Sequence, residues 1–248
     1  MVGRATLACL MLTGGFLIGL RLHSGDARAV RGPRASSPAY AFPQTGFGGY
    51  QWSGGVYQVS SNWRVPTIAP DSTPGAAATW IGAQDIASSR FIQVGVFEQC
   101  VAASTFVYRA FWSDANVKFI PQWIGDVQAS DLVSASLVRS GRGWTVRLSD
   151  PAAKLAFSTA VAYRAGASFS TGEWIQEDPS PSTAASKDVP YPVMSDVTFQ
   201  RLEVDGQAPR LSVFNALKLT PTGGGVRVPT SVRNDSFTFS APTGDGAT

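Results

Sequence analysis

From Gly46 onward, apolar residues recur in short runs with partial two-residue alternation, and clusters of Gly, Pro, Asp and Ser such as Pro70-Asp71-Ser72-Thr73-Pro74-Gly75 separate them. A period of two places alternate side chains on opposite sheet faces. The runs are rich in Val, Phe, Trp, Tyr and Thr, which suits pleated, half-buried strands. Strands are expected at Tyr50–Val59, Asn62–Val65, Ala77–Gln84, Phe91–Phe97, Thr105–Trp112, Val117–Trp123, Leu132–Val138, Trp144–Leu148, Ala156–Ala162, Glu173–Glu177, Val197–Val204, Ser212–Leu219 and Ser236–Ser240. No window carries a convincing 3.6-residue period, and the best helical stretch, Pro151–Leu155, is too short to matter. Many short strands with frequent turn signals indicate an antiparallel sandwich or barrel. Pro179 to Pro192 reads as a long polar loop, and the tail after Ala241 as frayed. No linker divides residues 46–248, so they read as one domain.

The N-terminus has a different pattern. Arg4 precedes a mostly apolar run from Leu7 to Leu20, and Ala27-Arg28-Ala29 supplies a small-x-small cleavage pattern. These are the parts of a secretory signal peptide over residues 1–29. About 14 apolar residues fall short of the roughly 20 needed to span a bilayer. Residues 30–45, rich in Pro, Ala, Ser and Arg, read as a flexible leader or short pro-segment. The expectation is a soluble, exported, monomeric protein without stable membrane insertion.

Composition then narrows the chemistry. The 248 residues include one histidine, His23, and two cysteines, Cys9 and Cys100. Removal of residues 1–29 takes away His23 and Cys9. The remaining chain could not build a Ser-His-Asp or Cys-His unit, a histidine metal site or an internal disulfide. Cys100 reads as a buried small hydrophobe. No lysine of the domain has a serine three positions before it, so a Ser-x-x-Lys nucleophile is absent. The formal charge of +3 falls to about +1 with the loss of Arg4, Arg21, Arg28 and Asp26. The positive residues are scattered, which argues against nucleic acid as a partner. Neither a metal nor a cofactor is expected.

Carboxylates and amides are what remain. In Gly172-Glu173-Trp174-Ile175-Gln176-Glu177, a strand places Glu173, Ile175 and Glu177 on one face. Two acids on one strand face are uncommon. They stand roughly 13 Å apart along the strand, too far for a hydrolytic pair acting on one glycosidic bond. In Phe91-Ile92-Gln93-Val94-Gly95-Val96-Phe97, Gln93 shares a face with Gly95 and Phe97. A glutamine amide on a sheet face can donate hydrogen bonds to a developing oxyanion. The plain alternatives are a surface glutamine and a solvent-facing acidic strand.

Taken together, these segments resemble the glutamic peptidases, the eqolisin family, from about Gln51 to Phe199. Trp52-Ser53-Gly54, Val65-Pro66, Trp80-Ile81-Gly82, Ile92-Gln93-Val94-Gly95, Glu173-Trp174-Ile175-Gln176-Glu177 and Ser195-Asp196-Val197-Thr198-Phe199 occur in the family's order. The resemblance implies an all-β sandwich of two antiparallel sheets, concanavalin-like or of jelly-roll type. It also implies an endopeptidase acting on proteins or peptides without cofactor or metal, favouring acidic pH. By that analogy Glu177 is the general base and Gln93 the oxyanion donor, while Trp52, Trp80 and Phe111 line the substrate cleft. The chain departs from the family's acidic pattern at Gln84, Phe97 and Ser113. The alternative reading is a non-catalytic sandwich that binds carbohydrate or protein on exposed tryptophans.

Overall fold

A computed structural model describes residues 46–85, 90–115, 118–163, 169–179, 190–221 and 225–240. The expected signal peptide, leader, most of the Pro179–Pro192 loop and the tail after Ala241 lie outside these residues. Strands run in chain order as β1 Phe47–Val56, β2 Gln58–Arg64, β3 Gly75–Asp85, β4 Arg90–Ala102, β5 Thr105–Asp114, β6 Lys118–Asp126 and β7 Leu132–Ser140. They continue as β8 Gly143–Asp150, β9 Leu155–Ala162, β10 Phe169–Glu177, β11 Val197–Val204, β12 Ala216–Leu217, β13 Val228–Pro229 and β14 Phe237–Ser240. Two seven-stranded antiparallel sheets result, in the orders β12-β1-β10-β3-β4-β5-β6 and β13-β14-β11-β2-β7-β8-β9. This is the sandwich that the strand pattern and the resemblance implied.

Two expected elements differ. The run Tyr50–Val59 is broken at Tyr57, where the Asp205 carboxylate accepts from the backbone N–H groups of Tyr57 and Gln58 at 2.7 and 2.8 Å. The chain turns there, so one run serves two different sheets. Ser212–Leu219 is mostly not a strand. Ser212 caps a 3-10 turn at Val213–Asn215 through a reciprocal pair of hydrogen bonds with Asn215, leaving only Ala216–Leu217 to pair. The local cap outcompetes the ladder, as short hydroxyl side chains commonly do. Pro151–Leu155 forms turns, not a helix, with Asp150 accepting from the N–H groups of Ala152 and Ala153.

Alternation decides which face each residue joins. Tyr50, Ile81, Val94, Trp112 and Trp174 point toward the second sheet and pack with Trp63, Trp144, Phe199 and Phe239 in the main core. The Trp174 indole donates to the Ser60 carbonyl at 3.1 Å, which ties the sheets together. Cys100 is buried at the edge of this core. The outward face of the first sheet carries a separate apolar cluster of Ala76, Ala78, Trp80, Phe97, Phe111 and Ile175. Of the seven tryptophans, Trp63, Trp80, Trp144 and Trp174 are among the most deeply buried side chains, Trp52 and Trp112 are partly buried against the core, and Trp123, 46% exposed, is the one that offers the open platform the carbohydrate-binding alternative needs.

Candidate active site

The register of the first sheet builds the site. Gln51 on β1 lies opposite Glu173 on β10, Glu173 opposite Gly82 on β3, Gly82 opposite Gln93 on β4, and Gln93 opposite Ser113 on β5. Residues directly opposite one another share a sheet face. Five strands thus contribute one transverse row on the face turned away from the second sheet. Two residues along, Ile175, Trp80, Gly95 and Phe111 form a second row. Two further, Phe47, Glu177, Ala78, Phe97 and Arg109 form a third.

Glu173, Gln93 and Glu177 are all buried among neighbouring side chains. Glu173 accepts from the Gln51 amide at 2.7 Å. The Gln93 amide nitrogen donates to the Ser113 hydroxyl at 2.9 Å. Glu177 accepts from the Trp80 indole N–H at 2.8 Å. Burial pushes the Glu173 carboxyl up to about 7, against a smaller lowering from Gln51. Burial likewise pushes Glu177 up to about 7, with Trp80 lowering it and neighbouring Asp178 raising it. Desolvation dominates both because a charged carboxylate loses its hydration in an apolar setting.

Gly82, at the centre, has no side chain, and its neighbours close over it. A Cβ there would stand 2.7 Å from the Trp80 ring, 3.0 Å from the Phe91 ring and 3.3 Å from Glu173 Oε2. The Glu173 carboxyl therefore leans over the bare backbone of Gly82, toward the strand that carries Gln93. The Trp80 indole reaches from Glu177 at its N–H to Gly82 at its benzo edge. Phe47 and Phe91 pack against it edge-on, with ring centroids 6.2 and 5.4 Å away.

Of the residues expected from sequence, Gln93, Glu177, Trp80 and Phe111 share this face. Trp52 does not. Gln51 is the β1 residue opposite Glu173, so Trp52 opposite Gly172 points the other way and packs against the main core. The register brings Gln93 opposite Glu173, whereas Glu177 lies four residues along the same strand, roughly 13 Å further. Gln51, Gly82, Ser113 and the role of Glu173 as the residue facing Gln93 were not assigned from sequence. Ser113 was marked only as a missing acid. The three departures, Gln84, Phe97 and Ser113, all belong to this face. Glu98, next to Phe97, does not replace the missing acid. It points into the interior, where burial pushes its carboxyl up to about 8. A groove of about 280 Å³ lined by Arg64, Pro66, Ser130, Asp196 and Gln200 belongs to the second sheet, away from Gln93, Glu173 and Glu177.

The sandwich thus gathers an amide and two buried acids on one sheet face, and its described residues contain no histidine. The chain belongs to the Peptidase A4 family, whose profile matches residues 45–240, and is a glutamic endopeptidase. Its fold is similar to that of scytalido-glutamic peptidase bound to a peptide-based transition-state analogue, at 18% identity and a TM-score of 0.59. That comparison covers 79% of this chain and 97% of the other. A second structure of scytalido-glutamic peptidase, with a transition-state analogue inhibitor, gives 16% identity, a TM-score of 0.58 and the same coverage. SCP-B, an eqolisin in complex with the tripeptide Ala-Ile-His, gives 18% identity and a TM-score of 0.57, again over 79% and 97% of the two chains. No curated protein sequence matches the chain.

Proposed function

We propose that this endopeptidase cleaves proteins with Glu177 as general base and Gln93 as oxyanion donor. The observation that carries this reading is that the two groups face the same way on one sheet, with Trp80 between them. Peptide substrate lies across the outward face beside Trp80, while Phe111, fully buried and edge-on to Trp123, supports that face from below instead of lining a cleft. Glu177 takes a proton from the attacking water as the water oxygen bonds to the carbonyl carbon. The Gln93 amide stabilises the oxyanion, and Glu177 returns the proton to the leaving nitrogen as the C–N bond breaks. Ser113 holds the Gln93 amide, so the donor is oriented before substrate arrives.

The base works only when ionised. With Glu177 pushed up to about 7, activity rises with pH through that region. Three buried carboxyls with raised values favour the folded state in acid, so the fold holds below the pH at which the base ionises. The apolar run and cleavage pattern in residues 1–29 support export with removal of that segment. The test is digestion of an internally quenched peptide pool from pH 3 to 9 by the parent, Glu177→Gln and Gln93→Ala. Glu177→Gln is expected to be inactive. Gln93→Ala is expected to lose about 10²–10³ in kcat, the usual effect of one oxyanion donor. Parent-like turnover by either variant, with its fold intact, rejects the pair.

A further inference from the structure

We propose that Arg109, stacked on Trp123 at the β6 border of the outward face, is a specificity-determining residue that takes an acidic side chain of the substrate about four residues from the scissile bond. This inference rests on the reading that peptide crosses the outward face beside Glu177, and it names what the peptide carries at that border.

The register brings both residues to the face. Glu177, Ala78, Phe97 and Arg109 stand opposite one another from β10 through β3 and β4 to β5. Arg109 is thus in the row of the base, three strand spacings or about 14 Å away. Trp123 joins through an irregularity. Ala110 lies opposite Gly125, but Phe111 lies opposite Trp123, so Ile124 is an extra residue in β6. Without this bulge Trp123 would stand opposite Trp112 and turn with it toward the core. Bulges commonly re-aim a side chain in this way. The ring settles edge-on to Phe97 and Phe111, with centroids 5.8 and 6.5 Å away, on the border strand of the sheet.

The guanidinium lies over that ring, its Cζ 5.0 Å from the centroid. Its Nε meets one oxygen of Asp126 at 3.3 Å. The side chains are 40% and 76% exposed, and an exposed pair of this kind holds weakly. The pair uses Nε and leaves the Nη edge of the fork to a ligand. A guanidinium grips a carboxylate through two parallel N–H bonds, and stacking on an aromatic face orients its plane beforehand.

Charge selects the occupant. Of the side chains in the three rows, Arg109 is the one cation, and Glu173 and Glu177 are acids. An acidic substrate side chain over the centre would be set against them, whereas at Arg109 it meets the opposite charge. An extended peptide advances about 3.3 Å per residue, so the distance from the base to Arg109 corresponds to about four residues. Asp126 competes for the same fork from within the protein.

The test uses internally quenched peptides with amidated C-termini, so that only a side chain supplies the carboxylate. They are paired as Glu or its neutral isostere Gln, one position at a time, on either side of one scissile bond. kcat and KM are measured at pH 7 for the parent, Arg109→Gln, Arg109→Glu and Asp126→Asn. The parent is expected to favour Glu about tenfold in kcat/KM at one position, chiefly through KM, as befits a contact remote from the reacting atoms. Arg109→Gln is expected to treat the pair alike, Arg109→Glu to favour Gln, and Asp126→Asn to widen the preference for Glu. A parent without preference at every position overturns the proposal, and so does a preference that survives Arg109→Gln. Titration calorimetry of the same pairs with Glu177→Gln, with and without Arg109→Gln, makes the comparison without turnover. A difference in Kd that Arg109→Gln abolishes supports the proposal, and equal affinities overturn it. Parent-like turnover by Glu177→Gln rejects the base alone, and the kinetics of the Arg109 variants then decide this proposal.

Discussion

The two faces of the first sheet are made from the same strands, yet they hold their acids in different ways. On the outward face, Glu173 and Glu177 each accept a hydrogen bond from a neighbouring strand and are pushed up to about 7. On the inward face, Glu98 is enclosed in the interior, where burial drives it to about 8 and Thr79 pulls it only partly back. Burial alone therefore does not mark a reactive acid. What distinguishes the outward pair is the company of an amide, an indole and the side-chain-free Gly82 over which they close. The inward acid is enclosed between the sheets.

Adding a side chain at Gly82 is the strongest way to break this contrast. Gly82→Ala is expected to reduce kcat by at least tenfold, because its Cβ would press on Trp80 and displace Glu173. Overpacking of this kind also costs about 1–3 kcal/mol of stability. Kinetics beside a denaturant melt would show both, and unaltered kcat would mean that the packing over Gly82 is not part of the chemistry.

Removing the interior acid is expected to act on stability alone. A carboxyl whose folded value lies above its unfolded one stabilises fully below about 4.5 and loses that contribution as pH rises through about 8. The parent should therefore melt at lower temperature at pH 9 than at pH 5. Glu98→Gln should melt higher than the parent at pH 9 by at least ~2–4 °C, the shift that about 1 kcal/mol gives a domain of this size. A pH-independent parent melting temperature would refute this.

The smallest effect concerns Trp52. It packs against the main core, with Gly54 beneath its ring, and points away from the site. Trp52→Leu is expected to lower stability while leaving kcat/KM within about twofold, since uniform core packing does not touch the transition state. A large fall in kcat/KM with an intact fold would place Trp52 in the cleft after all.

The strand content of the sandwich was readable because apolar alternation is a local signal. Val197–Val204 emerges with the same limits in sequence and structure, and Gln93, Gly95 and Phe97 share a face as their spacing requires. The position of Trp52 was not readable. A break at Tyr57 and the pairing of β1 with β10 set its parity, and both depend on residues far away, Asp205 and Glu173. The same holds for the row itself. Nothing local says that β10 inserts between β1 and β3, so the opposition of Glu173 and Gln93 waits on the register. Gln51 and Ser113 had weaker signals still. Gln51 stands beside the recognisable Trp52, and Ser113 drew notice only for what it lacks.

The row Gln51–Glu173–Gly82–Gln93–Ser113 is built from five hydrogen-bonded strands, from mid-strand at Gln51 and Glu173 to the end of β5 at Ser113. Reactive groups and their surroundings are thereby decoupled. Turns away from the ends of β5 and β10, where Ser113 and Glu177 stand, can lengthen, shorten or be exchanged without moving the atoms that cut the bond. For an engineer, that makes the loops bordering this face the natural place to graft new substrate preferences, with the cutting machinery left untouched as a fixed chassis.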